Sequence, residues 1–83
     1  MAVRLISQQE VASLLSLEKT IEAVEKAFCQ YAQGKAITPP VLSLMIPSQE
    51  GEIDAKFCYM DGLAMAGGKL VSFYERNAAK GLP

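Results

Sequence analysis

The 83-residue chain has no histidine, no tryptophan and only two cysteines. Imidazole metal sites and histidine-based acid–base pairs are therefore excluded. Cys29 and Cys58 lack C-x-x-C spacing, so neither a metal knot nor a disulfide framework is expected, and both read as buried thiols. No apolar run approaches the roughly 20 residues that cross a bilayer, and the opening MAVRLISQQE has no apolar segment of the secretory kind. The expected compartment is the cytoplasm, with no membrane partner. Neither sign of charge dominates. Eight basic residues are scattered among nine acidic ones, without the basic clusters and interleaved aromatics that hold nucleic acid. There is no G-x-G-x-x-G, no Walker lysine loop and no pair of carboxylates at a spacing that would hold them together. Ala66 to Lys69 is similar to a phosphate loop in composition only, because it leads into strand-like residues and not into a helix.

What is present is a balance suited to folding: 51% hydrophobic and 20% charged residues, far from the signature of disorder. A chain of this length forms one domain and buries roughly 60% of its unfolded surface, so a partner can be needed to complete its core. Ser7 with Glu10 fits a capping box that opens a short helix with Val11, Leu14 and Leu15 on one face. Ser16 can end that helix and cap a second. In the second helix Leu17, Ile21, Val24, Phe28 and Tyr31 recur at spacings of four and three, which predicts one buried stripe. Gly34 fits its left-handed close, and Pro39 and Pro40 stop helix from resuming.

The period then changes to two. Val41 to Ile46 reads as a strand, 47–51 as a polar turn, and 53–60 as the return strand of an antiparallel hairpin. Asp61-Gly62 and Gly67-Gly68 read as turns before a third strand, 69–74, with Lys69, Val71 and Phe73 on one face. Val3 to Ile6 is a candidate edge strand. The expected fold is α+β, two N-terminal helices packed on a small antiparallel sheet.

Lys56 and Lys69 each interrupt an apolar, strand-like segment. Facing one cleft, two ammonium groups would hold a carboxylate through charge-assisted hydrogen bonds; otherwise each lysine runs from a half-buried strand to water. Spacing leaves both readings open. Tyr59, Phe73 and Tyr74 fit a core as well as a pocket lining, and Asn77 and Gly81 fit ordinary turn chemistry as well as a loop beside a ligand.

Across the whole chain, Ile6 to Val11, Ile21 to Phe28 with Tyr31 and Gly34-Lys35, Pro39-Pro40, Gly68 to Val71, and Asn77 through Gly81-Leu82-Pro83 occur in an order and spacing that resembles the opening of the ornithine cyclodeaminase, mu-crystallin and archaeal alanine dehydrogenase family. The closing N-x-x-K-G-L-P is the most diagnostic piece. The resemblance implies the N-terminal part of a substrate-binding and dimerisation domain, cut short at Pro83 and without the Rossmann domain that holds NAD or NADP in the complete protein. It further implies an oxidoreductase or deaminase acting on an amino acid or cyclic imine, a homodimer, and a segment that binds no cofactor and is inactive alone. Lys69 matches the family lysine beside the substrate carboxylate and reacting centre, implying a catalytic and substrate-binding role; Lys56 falls where some members place a basic substrate contact. Two positions depart from the pattern: Val41 stands where a basic residue often follows the paired prolines, and Phe57 to Met60 replaces a Met-Pro-Ala-Tyr-like stretch. The alternatives are a stand-alone homo-oligomeric binding or structural module derived from the family, and a mu-crystallin-like binding protein.

Overall fold

The computed structural model describes all 83 residues, Met1–Pro83. Helix α1 spans Gln8–Leu14 and opens with the expected capping box, in which the Ser7 hydroxyl accepts from the Glu10 amide and the Glu10 carboxylate accepts from the Ser7 amide. Helix α2 spans Leu17–Ala32 behind Ser16, whose hydroxyl accepts from the Lys19 amide. It closes through Gly34 at φ +74°, a conformation that costs a residue with a Cβ about 1–2 kcal/mol.

Four strands follow: β1, Ala36–Ile37; β2, Leu42–Ile46; β3, Gly51–Met60; and β4, Met65–Tyr74. β3 is central and every pairing is antiparallel. β4 pairs with all of Gly51 to Met60 along one edge of β3. The other edge is shared end to end, with β2 against Gly51 to Ala55 and β1 against Tyr59 and Met60. Pro39 and Pro40 lie between β1 and β2. With no N–H to give to a ladder, they break that edge, and no strand pairs with Lys56, Phe57 and Cys58 on this side.

The α+β class agrees with the sequence, but several local expectations need correction. Gly67 and Gly68 are not a turn; they lie within β4, opposite Cys58 and Phe57. The Phe57 ring covers Gly68 so closely that an added Cβ would stand 2.8 Å from Cδ1, so the glycine serves ring packing. Val3 to Ile6 forms no strand. Residues Glu75–Lys80 form a 3-10 segment closed by Gly81 at φ +70°.

Burial differs most. Gly51 is the one buried residue. The α2 stripe lies open, Leu17 at 77% and Phe28 at 69% exposure, because α2 meets the sheet only at its C-terminal end. There Gln30 packs on Gly62, and Val24, Phe28 and Tyr31 border an apolar crease with Ala36, Cys58 and Met60. Cys29 is exposed and Cys58 half-buried, not the buried thiols expected, since no second layer covers either.

Candidate functional site

Alternation along the strands and the register between them sort the sheet into two chemically distinct faces. One face carries Leu42, Leu44 and Ile46 from β2, Ile53, Ala55, Phe57 and Tyr59 from β3, and Leu70 and Tyr74 from β4; it has no charged residue. The opposite face carries every Asp, Glu and Lys of the strands: Glu52, Asp54, Lys56 and Lys69. The end of α2 reaches this second face, since Ala36, Cys58 and Met60 border the crease with the helix.

Lys56 and Lys69 are direct cross-strand partners. Directly opposed side chains start with Cβ atoms about 4.5–5.5 Å apart, and like charges so placed repel. Neither lysine has an ion-pair partner in the chain, whose one salt bridge joins Arg76 to Glu50. The two lysines border a shallow hollow of about 310 Å³ with Phe57, Cys58, Gly67 and Gly68. It lies beside the stretch of β3 that the Pro39-Pro40 interruption leaves unpaired. Two unpaired cations on one face of a strand pair attract anions, and an anion with two acceptor atoms, such as a carboxylate, can bond to both.

Asp54 was not singled out from the sequence, although strict alternation places it on the face of Lys56. It lies directly opposite Ser43 on β2 and Val71 on β4, and its Oδ1 is screened from solvent without accepting any hydrogen bond. A larger hollow at the Gly51 end of the sheet, about 330 Å³, is bordered by Glu50, Glu52 and Glu75; three carboxylates there disfavour an anionic ligand.

The remaining candidates have structural explanations. Tyr59 and Tyr74 belong to the charge-free face, with Tyr74 packed over Gly51, whereas Phe73 shares the charged face opposite Glu52. Asn77 Nδ2 donates to the Pro83 carbonyl at 2.8 Å, and the Leu82 amide donates to the Asn77 carbonyl at 2.9 Å. The N-x-x-K-G-L-P segment is thus folded on itself. Glu50, itself left-handed at φ 48°, accepts two 2.9 Å bonds from Arg76, joining the β2–β3 corner to the segment after β4. That hydrogen bonding holds the Glu50 carboxyl below its ordinary value and raises Arg76, with desolvation opposing each shift. Gly67 and Gly68 are mid-strand and the next helical segment starts only at Glu75, so this glycine pair does not open a helix.

Comparison with known proteins gives a consistent picture. The pattern described as the ornithine cyclodeaminase/mu-crystallin family matches residues 2–83. An alanine dehydrogenase of Archaeoglobus fulgidus is 39% identical over 83 residues, covering 100% of this chain and 24% of that protein. An uncharacterized cyclodeaminase of Sinorhizobium fredii is 29% identical over 83 residues, covering 98% of this chain and 25% of that protein. The chain thus spans about a quarter of the length of the curated relatives it matches. No solved structure matches it significantly. No helix is long and apolar enough to cross a membrane.

Proposed function

The chain belongs to the ornithine cyclodeaminase/mu-crystallin family, and on that premise we propose that it supplies the carboxylate-binding half of the substrate site in an NAD(P)-dependent oxidoreductase or deaminase of amino or cyclic imino acids. The observation that carries this reading is the unpaired Lys56–Lys69 cross-strand pair. Opposed ammonium groups are destabilising without an anion and strongly attractive with one. Lys69, which the resemblance places beside the reacting centre, binds the substrate carboxylate and stands within reach of proton transfer there. Lys56 supplies the second cation. The resemblance sets a basic residue at Val41, and Val41 precedes the Leu42–Ala55 pairing, so Lys56 faces the same interruption from the neighbouring strand and takes over that charge.

The names of the two relatives, a dehydrogenase and a cyclodeaminase, support hydride transfer to a nicotinamide. The glycine pair of this chain lies within a strand and opens no helix, so on this reading the cofactor is held by another part of the complete protein and these 83 residues act on substrate. The charge-free sheet face supports a second role in self-association, in a compartment we take to be the cytoplasm. Symmetric pairing brings identical patches together, and a patch without charge meets its copy without repulsion.

Calorimetric titration of the complete gene product with L-alanine, L-ornithine and their carboxylate-free amines tests the reading. The amino acids are expected to bind and the amines to bind at least tenfold more weakly, with the difference removed in Lys69→Ala. Equal binding of amino acids by wild type and Lys69→Ala would refute the carboxylate role.

A further inference from the structure

We infer that Asp54 receives the ammonium group of the bound amino acid, so that this face of the sheet recognises both charges of a zwitterion and selects amino acids over carboxylates that lack the amine. The inference rests on the carboxylate-binding role of Lys56 and Lys69.

Three observations place Asp54 there. It is two residues before Lys56 on β3, on the same face and about 6.8 Å along the strand. It is also the diagonal neighbour of Lys69, since Lys56 pairs with Lys69 and Asp54 with Val71; such diagonals lie about 7–8 Å apart, within reach of a long side chain. Finally, Asp54 takes part in no side-chain hydrogen bond or ion pair; its Oδ1 is closed to solvent, which leaves Oδ2 as the oxygen open to a ligand. A carboxylate with no donor from its own chain is poorly satisfied, and an N–H arriving at Oδ2 relieves it. The lengths of the side chains suit the division of labour. Lysine ammonium groups reach out from the sheet on four-carbon stems, whereas the aspartate carboxylate stays near the backbone, so a small zwitterion can lie between them with its carboxylate outward and its ammonium inward. Glu52, the other acid on this face, lies one further step from the lysines, opposite Phe73.

The test compares ligand pairs that differ only in the α-amine, L-alanine with propanoate and L-ornithine with 5-aminopentanoate, by calorimetry on the complete gene product. Wild type is expected to bind at least one amino acid tenfold or more tighter than its partner. Asp54→Asn, and Asp54→Ser should the first variant fold poorly, are expected to bring the two within about twofold while propanoate or 5-aminopentanoate binding persists. Lys69→Met is expected to lose both ligands of a pair. If wild type shows no preference, or if the Asp54 variants weaken both ligands equally, the ammonium role is overturned and the lysine pair stands. If wild type binds neither carboxylate nor amino acid, the lysine reading is overturned and the Asp54 inference with it.

Discussion

At the residue scale, the best-defined polar contact lies away from the candidate site. Arg76 donates from Nε and Nη2 to the two Glu50 oxygens, a two-point geometry that lysine could not reproduce. Since Arg76 holds Glu50 below its ordinary value of 4.5, the folded state binds this proton less readily than the unfolded chain. The contribution of the pair is therefore complete above the unfolded value and is lost as pH falls through the lower, folded one. Arg76→Gln should accordingly lower the urea midpoint at about pH 7, with a smaller gap at about pH 3 and in high salt. A gap of the same size at both pH values would show that Arg76 acts by packing and not by charge. The lysines of the site carry the opposite logic: they lack a partner within the chain, which is a poor arrangement for stability and a useful one for binding.

At the element scale, β4 shows how neighbouring glycines can differ. Gly67 and Gly68 both sit in a strand, where glycine costs about 0.5–1 kcal/mol relative to alanine. A Cβ at Gly67 meets nothing within 4 Å, whereas one at Gly68 runs into the Phe57 ring at 2.8 Å. Gly67→Ala should therefore stabilise the protein by about 0.5 kcal/mol. Gly68→Ala should destabilise it by about 1 kcal/mol as the ring is pushed off its rotamer. Urea unfolding of both variants decides the matter, and stabilisation by both would show that the ring moves aside freely. The same region explains why β4 is longer than its sequence suggests. Two glycines in a row read as a turn because their intrinsic preferences are weak. Ten consecutive pairings with β3, and an aromatic side chain laid across the bare backbone, outweigh that local preference.

At the scale of the whole molecule, the chain exposes 7537 Å², against about 4,900 Å² for a compact protein of 9.0 kDa. Its radius of gyration is 16.5 Å, against about 12 Å. The excess, roughly 2,700 Å², is well above the about 800 Å² that one partner contributes to an ordinary interface. The α2 stripe and the charge-free sheet face are among the apolar surfaces left exposed. On our reading the sheet face pairs with its copy. Leu70→Glu, at a position 77% exposed on that face, should shift the complete gene product toward monomer in sedimentation by at least tenfold in dissociation constant, since pairing would bring two buried charges together. Ser13→Glu, on α1, should leave the association unchanged. Equal sedimentation of wild type and Leu70→Glu would remove the sheet face as the self-association surface.

The sequence alone determined what depends on neighbours a few residues apart. The Ser7–Glu10 box, the Ser16 cap, the Gly34 close and the change of period after Pro39-Pro40 are local, each set by hydrogen bonds or by side-chain spacing within one or two turns. The order of elements followed from these, and the family resemblance from sequence stretches matched in order and spacing along the chain, Asn77 to Pro83 above all. Tertiary structure decided the rest, because it depends on residues brought together from distant positions. Register set Lys56 against Lys69 and so brought Asp54, which alternation already places on the face of Lys56, diagonal to Lys69. The two-residue β1 exists only because Tyr59 and Met60 offer it an edge, and its length gave no periodic signal. The open α2 stripe and the exposed Cys29 could not be read from hydrophobicity, since a pattern of apolar residues states which face seeks cover and says nothing of whether these 83 residues contain the surface that provides it.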